Sequence, residues 1–376
     1  AGCQEQGDGQ GLNHLTSAHG SSLMERVLFD ALGQATGRTY HQVLATNLAA
    51  VDLAALHPEL SGMRPLDAIA WQPLAHIAVR HTVGLSDPIR TAEITAGQRL
   101  DDGLPQSLEE YLPAHGLRYL KIKVGGDHRA DLERLRQIAA VLQAQGAEYA
   151  VTVDGNEQYT DMEGFHRLLH AMSTDPVLRP LYARVLYIEQ PLDRTCALDP
   201  EMAAGIRVAA EHRPLLIDES DGDLDAFRRA ISLGYTGVSS KSCKGLIKAV
   251  ANQALARRLT GVGKGRYFLS GEDLMNLPVV PLHQDLTHLA CLGVEHAERN
   301  GHHYVRGLDH LSPGERAGCL QRHPDLYEGT GDQAFLRVTD GRLCVGSLQC
   351  PGLGAALPLA EETMVPLAEW RFESLH

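Results

Sequence analysis

Three apolar runs in the middle of the chain each end on a carboxylate: YAVTVD at Asp154, VLYIE at Glu189 and PLLID at Asp218. Val151 and Val153 are β-branched residues of the kind a pleated strand favours, and Gly155 and Pro191 break the first two runs just past their acids. The acids stand 35 (189 − 154) and 29 (218 − 189) residues apart, close to the roughly 31 residues that each βα unit takes in a (β/α)8 barrel. Barrel chemistry sits at the C-terminal strand ends, so three successive units bring three carboxylates to one arc of the mouth. Taken singly, each acid is better explained as a cap of the following helix; three in the same register reverse that preference and point to a shared site. An all-oxygen ligand set of this kind suits Mg²⁺, or Mn²⁺, better than zinc.

Such a barrel needs a sizeable core, and 376 residues with 44% hydrophobic content supply one with an added part to spare. The formal charge of −13 argues against nucleic acid or an anionic membrane as main partner, because both demand basic patches. Seven scattered cysteines form no CxxC pair and read as free thiols of a reducing compartment, so the expected location is the cytoplasm. No apolar run reaches the ~18 residues of a membrane span, and the opening segment lacks a targeting signal. The chain begins at Ala1 in a Gly-, Gln- and Ser-rich stretch, as expected of a processed or truncated end.

In chain order, Ser22 and Glu25 form an S-x-x-E capping box. Met24, Val27, Leu28, Ala31, Leu32 and Ala35 follow at helical spacing until Gly37, which predicts one buried face. Pro58, Pro65 and Pro73 mark short helical pieces before the barrel. Strands are expected at 76–84, 118–126, at the three acid-tipped runs, at 235–241, at 266–271 beside Glu272 and Asp273, and at 294–298. Helices are expected near 107–115, after strand 2 through Leu132, Leu135, Ile138, Ala139 and Leu142, from Asp223 to Gly234, and from Leu246 to Leu259. Beyond Leu311 helical periodicity fades and TDGRL and CPGLG suggest a β-rich return. The expected division is 1–75, 76–311 and 312–376.

Lys121 and Lys123 alternate with Leu120, Ile122 and Val124, so both ammonium groups point to the inner face of strand 2. Two like charges beside a bound cation lower each other's pKa, which makes one of them a base near neutral pH. Lys241 ends strand 6, half the barrel away from strand 2. Lys244 reads as a solvated loop lysine, Cys243 as a bystander thiol, and the adjacent His302 and His303 diverge too far to form a metal pair.

The motifs KIK, VDGN, YIEQP, IDES, SSKSCKG and LSGED, in this order and spacing, resemble the enolase superfamily, the mandelate racemase and muconate lactonizing enzyme group, over residues 21–376. The resemblance implies an α/β fold: a modified TIM-type (β/α)8 barrel with a partial N-terminal α+β capping domain, its first strands missing, completed by the C-terminal tail. It implies Asp154, Glu189 and Asp218 as Mg²⁺ ligands, Lys123 as base with Lys121 supporting it, Lys241 as the opposing acid or base of the muconate-lactonizing-like branch, and Glu272 as a strand 7 acid. Asn156 and Glu219 are expected behind the ligands, Glu219 as support or helix cap. The histidine that mandelate racemase-like members place after strand 7 is absent, and lysine takes its role.

The expected chemistry is removal of the proton α to a carboxylate through an enediolate, giving racemisation, epimerisation or cycloisomerisation of a small carboxylic acid. Acid-sugar dehydration is the alternative, and a non-catalytic metal-binding relic the outcome disfavoured by the opposed lysines. Expected partners are the small carboxylate and further copies of the chain in a homo-oligomer.

Overall fold

The structure, a computed structural model, describes residues 6–7, 9–100, 102–272, 277–301, 306–330, 333–357 and 360–371. Eight parallel strands close on themselves: β1 (His76–Val83), β2 (Tyr119–Lys123), β3 (Ala150–Asp154), β4 (Val185–Glu189), β5 (Leu215–Ile217), β6 (Gly237–Ser240), β7 (Phe268–Gly271) and β8 (His296–Arg299), with β8 pairing back onto β1. Each strand is short and apolar outward, and the helices between strands cover the outside, as parallel sheets require. The helix His128–Gln145 shows how local sequence sets this layer. Asp127 caps its first turn by accepting from the Arg129 and Ala130 amides, Leu132, Leu135, Ile138, Ala139 and Leu142 are buried, and Gly146 ends it in the left-handed region.

The first helix departs from its expected form. It runs His14–Thr36, capped by Asn13, so Ser22 and Glu25 lie inside it and form no capping box. Its apolar stripe faces outward, with Met24, Val27 and Leu28 61%, 60% and 64% exposed. The buried face is Ser17, Ala18, Ser22, Arg26, Phe29 and Gly33. Gly33 on that face lets the helix backbone lie close to the C-terminal tail, because a Cβ there would come within 2.6 Å of the Gly352 Cα.

The helix expected from Asp223 begins at Ala226, leaving Leu224 exposed. The tail also opens differently, with a helix Pro313–Arg322 whose Ser312 and Glu315 do form a capping box. After it come the hairpin β9 (Tyr327–Thr330) and β10 (Gln333–Leu336), then β11 (Arg342–Cys344), antiparallel to the first half of β1. The chain then reaches the first helix, where Asp30 accepts the Leu353 amide at 2.8 Å and the Arg38 carbonyl accepts that of Gly352 at 3.0 Å. No described helix is long and apolar enough to cross a membrane.

The helix Val280–Leu292 is buried along nearly its whole length and ties these parts together. His288 Nδ1 lies 3.0 Å from the Tyr40 hydroxyl, and His283 Nε2 lies 2.7 Å from that of Tyr327. Burial pulls both imidazoles from 6.5 to about 3. The unfolded chain therefore binds more protons between these values, so their contribution is complete above pH 6.5 and drains away as pH falls toward 3. Each should cost about 2 kcal/mol of stability on going from pH 7 to 5. Denaturant midpoints at the two pH values check this; equal midpoints would show that the histidines are not held neutral.

Candidate active site

Strand alternation brings the polar residues of the barrel to its interior, and register sets which ones meet. Lys123 pairs with Asp154 across β2 and β3, and Asp154 with Glu189 across β3 and β4. Gly155 is required just past Asp154, since a Cβ there would stand 2.5 Å from the Pro191 Cα. Behind the acids, Asn156, Glu157 and Gln190 hold φ of 46°, 64° and 31°, the left-handed region that side chains disfavour. Hydrogen bonds hold these turns. Asp154 Oδ1 accepts the Asn156 amide at 2.8 Å, and buried Gln190 accepts the Asp218 amide at 2.8 Å while donating to Leu192 O and Ser220 Oγ, both at 2.7 Å.

Lys121 is the hub. Its ammonium, 2% exposed, donates to Glu189 Oε1 at 2.8 Å, Glu298 Oε2 at 2.9 Å and Glu272 Oε2 at 3.0 Å, with Asp154 Oδ2 at 3.2 Å. Burial alone would lower its pKa, but Asp154, Glu189, Glu272 and Glu298 hold it well above the ordinary lysine value. Lys121 is therefore a fixed cation, which corrects the expectation of a lowered pKa: carboxylates, not another ammonium, dominate its surroundings. Glu272 is also committed inward, bound by Arg80 and Ser270 on Oε1 and by Lys121 on Oε2. Glu298 is buried, which raises a carboxyl, yet Lys121 brings it below the ordinary carboxylate range.

Lys123 and Lys241 differ from Lys121 in reaching the opening, with side chains 29% and 18% exposed. Lys123 donates to Asn156 Oδ1 at 2.6 Å and stands 3.3 Å from Asp154 Oδ2. Lys241 stands 2.7 Å from Asp218 Oδ2. Lys244 is no solvated lysine: it is buried, and its ammonium donates to Asp218 Oδ1 at 2.8 Å, Asp218 O at 2.5 Å and Ser239 Oγ at 2.6 Å. The turn Ser242–Lys244 directs it back under strand 6 instead of outward. Burial raises Asp218, but Lys241 and Lys244 outweigh it and hold the acid well below the ordinary range. Glu219 caps no helix, because the next one starts at Ala226; burial, then Asp218, pushes it up to about 7.

The donor chemistry at these strand ends fits a hard divalent cation. Asp154, Glu189 and Asp218 offer oxygen on three consecutive strands, and Glu189 Oε2 is buried without a hydrogen-bond partner. Burial, then Asp154 and Glu272, raises Glu189 well above the usual carboxylate, a cost that a nearby cation would relieve. Among the described residues no three acids, histidines or cysteines are gathered tightly enough to enclose an ion. Lys121 stands against Asp154 and Glu189, and Lys241 against Asp218.

Several parts of this network escape a reading of strand ends. Arg80 on β1 donates to Gly271 O at 2.9 Å and pairs with Glu272, Thr82 donates to Glu298 at 2.9 Å, and the Tyr187 hydroxyl meets Ser270 Oγ at 2.5 Å. The signal was present as polar residues two apart in a strand or just past its end: Arg80 and Thr82, Ser270 and Glu272, His296 and Glu298. Asp273, His302 and His303 lie outside the described residues. Cys243 is half-buried.

A closed parallel barrel with acids and lysines at its strand ends defines the class of protein, and comparison with known proteins shows what it is similar to. Residues 104–259 match the family model described as enolase C-terminal domain-like. A hydrophobic dipeptide epimerase from Roseobacter litoralis is 25% identical over 247 residues, 64% of this chain and 64% of that protein, so the match spans less than two thirds of the relative's length. The fold resembles the 3,6-anhydro-D-galactonate cycloisomerase from Zobellia galactanivorans, with TM-score 0.55 and 15% identity over 92% of this chain and 74% of that one. It also resembles muconate lactonizing enzyme from Pseudomonas putida, with TM-score 0.52 and 16% identity over 93% and 74%. Residues 104–259 are thus similar to the enolase C-terminal domain-like family, and the barrel as a whole has the fold of these two enzymes.

Proposed function

We propose that the protein removes the proton α to a carboxylate of a small acid through an enediolate and returns a proton to racemise, epimerise or cycloisomerise it. One observation carries this reading: of the four lysines at the mouth, Lys121 and Lys244 are buried among acids, whereas Lys123 and Lys241 reach the opening from strands half the barrel apart. Two accessible amines on opposite sides suit proton removal from one face of a carbon and delivery to the other. Lys123 takes the proton as an amine and Lys241 gives one as an ammonium, or the reverse for the opposite stereoisomer. Asn156, bonded to Lys123, and Asp218, paired with Lys241, fix where each nitrogen sits. Asp154, Glu189 and Asp218 would hold Mg²⁺ or Mn²⁺, which supplies positive charge to the substrate carboxylate.

The named relatives suggest where to begin: hydrophobic dipeptides, sugar-derived acids and unsaturated diacids. Mass spectrometry and chiral analysis of such a library should show products of unchanged mass. A product lighter by one water makes the protein a dehydratase, and no turnover of any acid favours the non-catalytic relic. Treatment with EDTA should abolish turnover and Mg²⁺ should restore it; full activity after chelation contradicts the assigned role of the three acids.

A further inference from the structure

Glu25 leaves its own helix to serve another. Its Oε2 accepts the Leu246 amide at 2.6 Å and the Ile247 amide at 3.1 Å, the first amides of the helix Leu246–Gly261. That helix has no cap of its own, because the residue before it is Gly245, at φ 109° where a side chain is strained. A carboxylate at this end satisfies orphaned amides and meets the positive end of the helix dipole. The capped end follows directly on Lys241 and the turn Ser242–Lys244, and the His14–Thr36 helix packs against that same turn. Lys244 pins the turn from inside the barrel through Asp218 and Ser239. Glu25 pins it from outside.

We infer that Glu25 is a positioning residue for Lys241: the first helix holds the lysine-bearing turn over the barrel mouth through the Glu25 contact with the Leu246 and Ile247 amides. The inference rests on the proposed role of Lys241 as acid or base, and it makes the N-terminal helix a working part of the site. Its outer apolar stripe, with Met24, Val27 and Leu28 exposed, plays no part in this contact.

The test is hydrogen–deuterium exchange of the full chain together with turnover of the acid selected by the screen above. Glu25→Ala should speed exchange of the amides from 242 to 250 about tenfold, as loss of a helix cap implies, and leave β2 to β4 protected. It should lower kcat about tenfold with KM changed less than about twofold, because the lysine is misplaced while the acids stay. Glu25→Gln keeps an acceptor oxygen and should restore both readouts. If Glu25→Ala fails to fold, Glu25→Asp, one methylene shorter, is read in the same way. Unchanged exchange over 242–250 overturns the anchoring. Faster exchange with unchanged kcat, in a protein that Lys241→Ala inactivates, overturns the positioning role alone. Full turnover by Lys241→Ala removes the functional reading on which the inference rests, and the exchange result still decides whether Glu25 anchors the turn.

Discussion

Alanine at Lys123 or at Lys241 is expected to lower turnover by about 10²- to 10⁴-fold, the range that a positioned acid or base supplies. Stability should change little. Asp154 keeps Lys121 at 3.2 Å when Lys123 is gone, and Asp218 keeps Lys244 at 2.8 Å when Lys241 is gone. Each acid thus retains a buried cation, so neither substitution strands an unpaired charge. Comparing kcat and thermal midpoints of both variants separates chemistry from folding. Turnover within threefold of the parent in either variant would remove that lysine from the mechanism.

Lys121→Met is expected to act on stability first. It removes one ammonium from Asp154, Glu189, Glu272 and Glu298 together, and breaking a buried ion pair from one side costs about 3–5 kcal/mol. The stranded carboxyls respond by rising in pKa, so the folded variant holds protons that the unfolded chain has released. Its stability deficit is then largest at pH 7 and shrinks toward pH 5, as the carboxyls protonate. Denaturant unfolding at both pH values checks this. A loss under about 1 kcal/mol at pH 7 would mean that Lys121 does not hold the barrel interior together.

The barrel was legible because its strands are short apolar runs, two of which end on an acid, with the third followed at once by Asp218. Spacing then ordered the units. What stayed hidden depends on which side of an element finds a partner. The stripe of Met24, Val27 and Leu28 has helical periodicity, but the side with Ser22 and Gly33 is the one that is buried, Gly33 against the C-terminal tail. Lys244 read as a surface residue because a sequence does not show the turn that folds it back beneath Asp218. Arg80 and Glu298 sit in strands recognisable by their apolar neighbours, and only closure of β8 onto β1 brings them beside the same buried network. Glu25 reads as a capping-box acid from local spacing, while its partner helix lies more than 200 residues away.

Two lysines serving opposite faces of one carbon leave a signature in proton exchange with D₂O. The substrate found by the screen is incubated in D₂O as each stereoisomer, and deuterium at the α-carbon is followed by NMR. Lys123→Ala should retain exchange with one isomer and Lys241→Ala with the other, each having lost the amine that faces the second. If both variants instead keep or lose exchange with the same isomer, a single base moves the proton, Lys241 acts only as a cation, and the two-base mechanism is wrong.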